Sequence, residues 1–230
     1  MKYILIWLLL ISNSSAETAL IYITQVGSND NINMSQSNQH NVISGYTHQD
    51  MPIYGGNNQI TIHQGETNNT VSSNNIMQID VFGSGGNLLN LNQGTDTNGY
   101  GNGLDTGAHY LGLQINGSTN TITTQQQNIS SVAGHYANIN VTGNANTVGI
   151  SQTGNSAHTL NLSLFGDGNG ASVNQNNTGA SGSNTASISL INAGGPVGVN
   201  LIQTGGQSYS VNSICTTAGG CGTITVKQGN

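Results

Sequence analysis

Few side chains in this chain can do chemistry, and the most suggestive are three histidines. His109, His135 and His158 each precede an asparagine, Asn120, Asn146 and Asn169, by the same eleven positions. If the segments that carry them stack, the three imidazoles fall into one row. Two readings of such a row are a metal site or a pH sensor, since imidazoles held this close resist joint protonation. The plainer reading is three polar residues at a corner of a repeated fold. Cys215 and Cys221 are the only cysteines. They are either a disulfide, Cys215 pointing inward and Cys221 lying in a turn, or two buried thiols. The glycines around Asp167 (Gly166, Gly168, Gly170) have the pattern of a calcium-binding repeat turn, but it occurs once and lacks further carboxylates. There is neither a Gly-x-Ser-x-Gly elbow nor a phosphate loop, and Asp30, Asp80 and Asp167 are scattered. No catalytic, cofactor or metal residues are assigned, and the chain reads as a non-enzyme.

Composition narrows the field further. Only 4% of the residues are charged, against roughly 25% in an ordinary globular protein. The basic residues are Lys2 and Lys227, without an arginine, so a nucleic-acid surface built on clustered cations is excluded. Hydrophobic residues make up 34% and glycines number 33, whereas prolines number 2. Disordered low-complexity chains are rich in Pro, Glu and Lys, so this composition points instead to repetitive β structure. Lys2, the apolar run over 3–11 and Ser14, Ser15 and Ala16 predict a secretory signal over 1–16, too short an apolar run to span a membrane. The mature chain, 17–230, is expected outside the cell, with no membrane insertion.

The elements that must position these residues come from an internal repeat. One phrase recurs: an alternating apolar stretch, a glycine, an asparagine three residues later, a second alternating stretch, and a glutamine six residues after the asparagine. In the clearest copy Ala137, Ile139 and Val141 alternate, Gly143 and Asn146 form the turn, and Val148, Ile150 and Gln152 alternate again. The turn glycines are Gly27, Gly55, Gly83, Gly117, Gly143, Gly166, Gly194 and Gly219. Asn58, Asn87, Asn120, Asn146 and Asn169 are the turn asparagines, with Asp30 in the first copy. Closing glutamines lie at Gln36, Gln64, Gln93, Gln126, Gln152, Gln175, Gln203 and Gln228. Their spacing varies, which places insertions between units, 95–108 being a long one.

Alternation sends one set of side chains to each face of a strand. Gly and Asn accept the positive φ that a tight reversal demands, so the two aliphatic faces of a unit meet. A single unit buries too few side chains to offset the entropy of ordering it; stacking unit on unit closes the deficit. The prediction is an all-β chain, a β-solenoid of about eight stacked strand-turn-strand repeats. Stacking at about 4.7–4.8 Å superimposes equivalent residues, so the glutamines, Gln25 counted with them, and the asparagines form amide ladders. A carboxylate row would repel itself, which accounts for the low charge. No proline or charge cluster caps the end rungs, and open edges imply end-to-end polymerisation.

Written as a small residue, five others, Gln, x, Gly, two others, Asn, five others and Gln, the unit resembles the curlin repeat of bacterial curli amyloid subunits. The first copy matches through Ala19, Gln25, Gly27, Asp30 and Gln36, Asp30 being its one departure. The others hold Ile53, Val81, Ile115, Val141, Leu164 or Asn192 in place of the first glutamine. The resemblance covers roughly 19–228. It implies secretion through a dedicated outer-membrane pore, assembly on a nucleator or companion curlin subunit, and fibres for adhesion and biofilm matrix. A different class of function is a non-polymerising solenoid adhesin that binds glycans or host surfaces through its long linkers. A third, an ice- or mineral-binding face, needs a regular threonine row, for which Thr121, Thr123, Thr223 and Thr225 are the only matching pairs.

Overall fold

The computed structural model describes residues 20–21, 23–36, 41–46, 51–64, 75–94, 108–128, 134–177, 182–192 and 195–229. The expected signal over 1–16, the turn glycine Gly194 and nearly all of the 95–108 linker lie outside them, as does the side chain of Gln36. Among the described residues every regular element is a β-strand, and every strand pairing is parallel.

The strands form two sheets. The second halves of the repeats make an eight-stranded sheet in sequence order: Asn31–Gln36, Gln59–Gln64, Leu88–Gln93, Thr121–Gln127, Thr147–Thr153, Gly170–Asn176, Val197–Thr204 and Gly222–Gln228. The first halves make the facing wall, in which Ile76–Phe82, Tyr110–Asn116, Tyr136–Thr142, Thr185–Asn192 and Ser208–Cys215 are the long strands. Pairing joins each repeat to the next with equivalent residues opposed, for example Ile122 to Val148 and Gln126 to Gln152. Alternation places Leu111, Leu113 and Ile115 of one wall and Leu89, Leu91 and Ile122 of the other in a single apolar core. The chain is thus a parallel β-solenoid. About six turns have this closed interior, while Ile23, Ile32 and Met34 at one end and Tyr209 and Val226 at the other are only partly buried.

Two expectations are corrected. Insertions do not all sit between units: 45–50 interrupts a strand of the first wall, splitting it into Val42–Ser44 and Met51–Tyr54, which flank the insertion and resume pairing with the neighbouring repeats in unbroken register. Within this excursion, the Tyr46 backbone N–H donates to Asp80 Oδ1 at 2.8 Å. Its hydroxyl accepts from Asn138 Nδ2 at 2.9 Å. Its ring lies where a Cβ on Gly112 would stand, 2.6 Å from Tyr46 Cε2. The sheet face is open to the ring only because that residue is glycine.

The second correction concerns the turn. In the turns positive φ falls on Gly55, Gly83, Gly117, Gly143 and Gly166 and on the residue just before Asp30 or the turn asparagine, Asn29, Asn57, Thr119 and Ala145; outside the turns it is also taken by Leu162. The asparagines are not among the positive-φ residues, so conformational freedom is not what selects them. Close packing accounts for the described turn glycines other than Gly219, where a Cβ would meet nothing. A Cβ on Gly117 would meet the Gly143 carbonyl oxygen at 1.9 Å, because stacked turns leave no room for a side chain.

Candidate functional site: three hydrogen-bonded columns

Stacking in register brings the predicted polar residues together as columns that run along the solenoid. In the turn column, Asn58 Oδ1 accepts both the backbone N–H and the Nδ2–H of Asn87, each at 3.1 Å. Asn87 does the same for Asn120 at 3.0 and 3.2 Å, and Asn120 for Asn146 at 2.9 and 3.1 Å. Asn146 Oδ1 accepts the N–H of Asn169 at 2.9 Å, and Asn169 Oδ1 accepts that of Val197 at 3.2 Å. The spare Nδ2 proton goes to a backbone carbonyl, as from Asn120 to Gly143 at 3.0 Å. All these asparagines are buried, so an unpaired amide in their place would forfeit the full desolvation cost.

Asp30 begins this column. Its Oδ1 accepts the N–H and Nδ2–H of Asn58 at 2.8 and 3.0 Å, and its Oδ2 accepts Gln25 Nε2 at 3.0 Å. The first position needs only an acceptor, which a carboxylate supplies. Asp167 ends a smaller column at the exposed turn tips in the same way: Ser84 N–H donates to Ser118 Oγ, Ser118 N–H to Asn144 Oδ1, and Asn144 N–H to Asp167 Oδ1 at 2.6 Å. The Asp167 carboxylate is therefore a column end. Among the described residues no three of His, Cys, Asp and Glu gather as a metal site.

The glutamine column runs in the opposite sense. Each Nε2 donates to the Oε1 of the following repeat: Gln64 to Gln93 at 2.9 Å, Gln93 to Gln126 and Gln126 to Gln152 at 2.8 Å, Gln152 to Gln175 and Gln175 to Gln203 at 2.9 Å, Gln203 to Gln228 at 3.0 Å. The second Nε2 proton crosses to the facing wall, from Gln126 to the Tyr110 carbonyl at 3.0 Å and from Gln152 to that of Tyr136 at 2.9 Å. One residue type thus fastens repeat to repeat and wall to wall. Gln25 stands outside this column, on the first wall beside Asp30. Gln36 lies in it by backbone register, paired with Gln64.

The histidines form part of a third column, at the corner where each repeat enters the first wall. The N–H of His135 donates to His109 Nδ1 at 3.0 Å, that of His158 to His135 Nδ1 at 3.2 Å, and that of Asn184 to His158 Nδ1 at 3.1 Å. Asn75 Oδ1 serves His109 in the same manner at 3.1 Å, Asn41 Oδ1 serves Asn75 at 3.4 Å, and Asn184 Oδ1 serves Gln207 at 2.8 Å. An accepting Nδ1 fixes the neutral tautomer with hydrogen on Nε2. That nitrogen meets the Gln127 carbonyl at 3.2 Å in His135 and the Thr153 carbonyl at 2.9 Å in His158. The rings stack with centroids 5.0 and 4.9 Å apart. Burial first, then the neighbouring His109 and His158, push the His135 pKa down to about 2, and burial lowers that of His158. These histidines do the work of asparagines, Nδ1 standing for Oδ1 and Nε2–H for Nδ2–H. In His135 and His158 both ring nitrogens are engaged in these contacts.

Sequence reading found the row of three but not its continuation through Asn41, Asn75, Asn184 and Gln207. A signal was present: each of these polar residues sits just before the first strand of its repeat. The 45–50 insertion and the longer Ile76–Phe82 turn shifted the count to the turn asparagine. The cysteines are bridged, Cys215 buried and Cys221 exposed in the last turn. That turn lies beyond Asn169, where the asparagine column has ended. Threonines do not form a row, since Thr121 and Thr123 pair with Thr147 and Gly149. Comparisons with protein-family models, with curated proteins and with solved structures found no match.

Proposed function

We propose that the chain is a secreted structural subunit of curli-like amyloid fibres on a bacterial surface, serving adhesion and biofilm matrix. In this reading 1–16 is removed on export, 17–230 folds as eight curlin-type repeats, and the product joins end to end, started by a nucleator or companion subunit after passage through an outer-membrane pore. Its work is mechanical.

The observation that carries the proposal is the state of the two ends. Among the described residues, Asn31–Gln36 and Gly222–Gln228 of the eight-stranded sheet each pair on one side only, and Ser208–Cys215 likewise pairs only with Thr185–Asn192. Exposed parallel edges are templates for another chain, and solenoids that stay monomeric cover them with caps. The columns add to this, because a column that ends with unused hydrogen-bonding capacity gains a partner when another copy stacks on it. The acidic residues fit as well: Asp30 and Asp167 terminate columns and do not interrupt them.

The test is dilution of denatured 17–230 into buffer, followed by amyloid-dye fluorescence and sedimentation, with fibre diffraction of the product. Self-seeding growth with a reflection near 4.7–4.8 Å along the fibre axis is the expected result. A lasting β-rich monomer would overturn the proposal and favour the adhesin, with 95–108 as the first segment to probe for a glycan ligand.

A further inference from the structure

Side chains on the outer face of the first wall also fall into columns, and one of them is apolar at both ends. By strand pairing it runs Val26, Tyr54, Phe82, Asn116, Thr142, Phe165, Ile191, Ile214. Val26 is 36% exposed, Tyr54 38%, Phe165 55% and Ile214 58%, and Tyr54 stacks on Phe82 with centroids 5.4 Å apart. The middle of the column is polar. Within the core the converse holds: the column from Ile53 through Val81, Ile115, Val141 and Leu164 to Leu190 is apolar, yet it begins with Gln25 and ends with Ser213.

Both irregularities disappear if a second copy is added in register. Setting Ser208–Cys215 of one copy against Ile23–Val26 of the next places Ile214 on Val26, so the outer column reads Phe165, Ile191, Ile214, Val26, Tyr54, Phe82 without a break. Ser213 then meets Gln25, polar on polar, inside the core. On the second wall the same register sets Ile224 on Ile32, Val226 on Met34 and Gln228 on Gln36, continuing two apolar columns and the glutamine column. A slip by one residue would set the outward Lys227 of one copy on the inward Met34 or Gln36 position of the next.

We infer that the junction between copies is this stacking, in the register that sets Ile214 and Ser213 of one copy on Val26 and Gln25 of the next, with the six-residue apolar strip as its outer seam. The partner is a second copy of this chain, and the inference rests on the polymerising reading above. It adds the direction of growth, the register and the residues at the contact. Apolar residues at the two ends are incomplete halves of one surface, which explains why the isolated subunit leaves them to solvent.

The test uses two variants, Val26→Lys and Ile214→Asp, on full-length mature chain whose β content is checked by circular dichroism. Each alone should elongate wild-type-free seeds at least about tenfold more slowly, because every junction then sets a charge against an aliphatic side chain in the seam. Mixed one to one they should recover growth, since the copies alternate: Asp at 214 meets Lys at 26 in one junction, and Ile214 meets Val26 in the next. Asn116→Asp, in the polar middle of the same column, should elongate as wild type does. Single variants that grow at the wild-type rate, a mixture that stays arrested, or an Asn116→Asp variant as slow as Ile214→Asp would each overturn this junction while leaving polymerisation itself intact. Wild-type chain that stays monomeric would instead remove the reading beneath it.

Discussion

The two corners of the solenoid solve the same problem with different chemistry. At the turn corner each repeat offers an asparagine Oδ1 to the N–H of the next and sends its Nδ2–H to a carbonyl. At the entry corner His109, His135 and His158 offer Nδ1, and the Nε2 of His135 and His158 meets a carbonyl. What the position selects is an adjacent acceptor and donor at fixed geometry, and two residue types provide it. The difference is that an amide has no proton to gain in the accessible pH range, whereas imidazole does. The amides of one corner do not titrate, whereas the other corner carries His135 and His158, whose imidazoles burial holds in the neutral form.

The sharpest way to break either corner is to place a charge in a column. Gln152 lies between the two walls at the entry corner and donates both Nε2 protons, to Gln175 Oε1 and to the Tyr136 carbonyl. Gln152→Glu sets an oxygen against two acceptors in a fully buried site. We expect a loss of about 3–5 kcal/mol, the cost of an uncompensated buried charge, read as a shift in the urea midpoint of the soluble chain, with slower fibre growth following from it. An unchanged midpoint at neutral pH would show that the column is open to water.

Acid separates the corners with a smaller effect. Because the folded His135 holds its pKa near 2, well under the unfolded value of about 6.5, the unfolded chain binds a proton that the folded chain refuses. Stability is therefore complete above about pH 6.5 and falls as pH drops below it. At pH 5 this residue alone costs about 2 kcal/mol. His135→Asn, which installs the side chain that Asn75 and Asn184 already use in this column, should keep the neutral-pH midpoint within about 1 kcal/mol and recover about 2 kcal/mol at pH 5. Chemical denaturation at both pH values measures it. A variant as acid-sensitive as the parent would place the sensitivity elsewhere.

A polar group that is buried without belonging to a column makes the opposite case. Thr124 points into the core between Leu91 and Ile150 of adjoining repeats, and its Oγ1 has no hydrogen-bond partner. Thr124→Val should raise stability by about 1 kcal/mol, the desolvation cost of the orphan hydroxyl being removed at nearly constant volume. Thermal or urea unfolding would show it, and a loss of stability would mean that the hydroxyl is bonded after all.

The parts of the fold legible in the sequence were those set by side-chain type at constant spacing: alternation gave the two walls, and the glutamine and asparagine intervals gave two columns. Less legible was anything that depends on which neighbour a residue meets. Asn146 reads equally well as a turn former or as a ladder amide until Ala145, and not Asn146, takes the positive φ. Tyr46 and Asp80, far apart in sequence, meet through the Tyr46 backbone N–H, a contact that no repeat spacing announces. The apolar seam Phe165, Ile191 and Ile214 is invisible without strand register, since within each repeat it is a single outward-facing residue.

Asp30 makes the finest distinction between a column and its end. In the middle of the turn column an asparagine must accept from one repeat and donate toward another, so Asn120→Asp would set an oxygen against the Gly143 carbonyl and belongs with the damaging Gln152→Glu. At the start of the column only acceptance is required: Asp30 Oδ1 already serves Asn58 twice, and Oδ2 accepts a hydrogen bond from Gln25 Nε2. Asp30→Asn keeps the first acceptor and replaces the second by a donor, which the half-buried Gln25 can meet by turning its own amide. The expected change is within about 1 kcal/mol, measured by urea unfolding beside Asn120→Asp under identical conditions. Equal losses in the two variants would mean that position along the column does not matter. A small loss at 30 and a large one at 120 would establish that carboxylates are admitted only where a column has no one left to donate to.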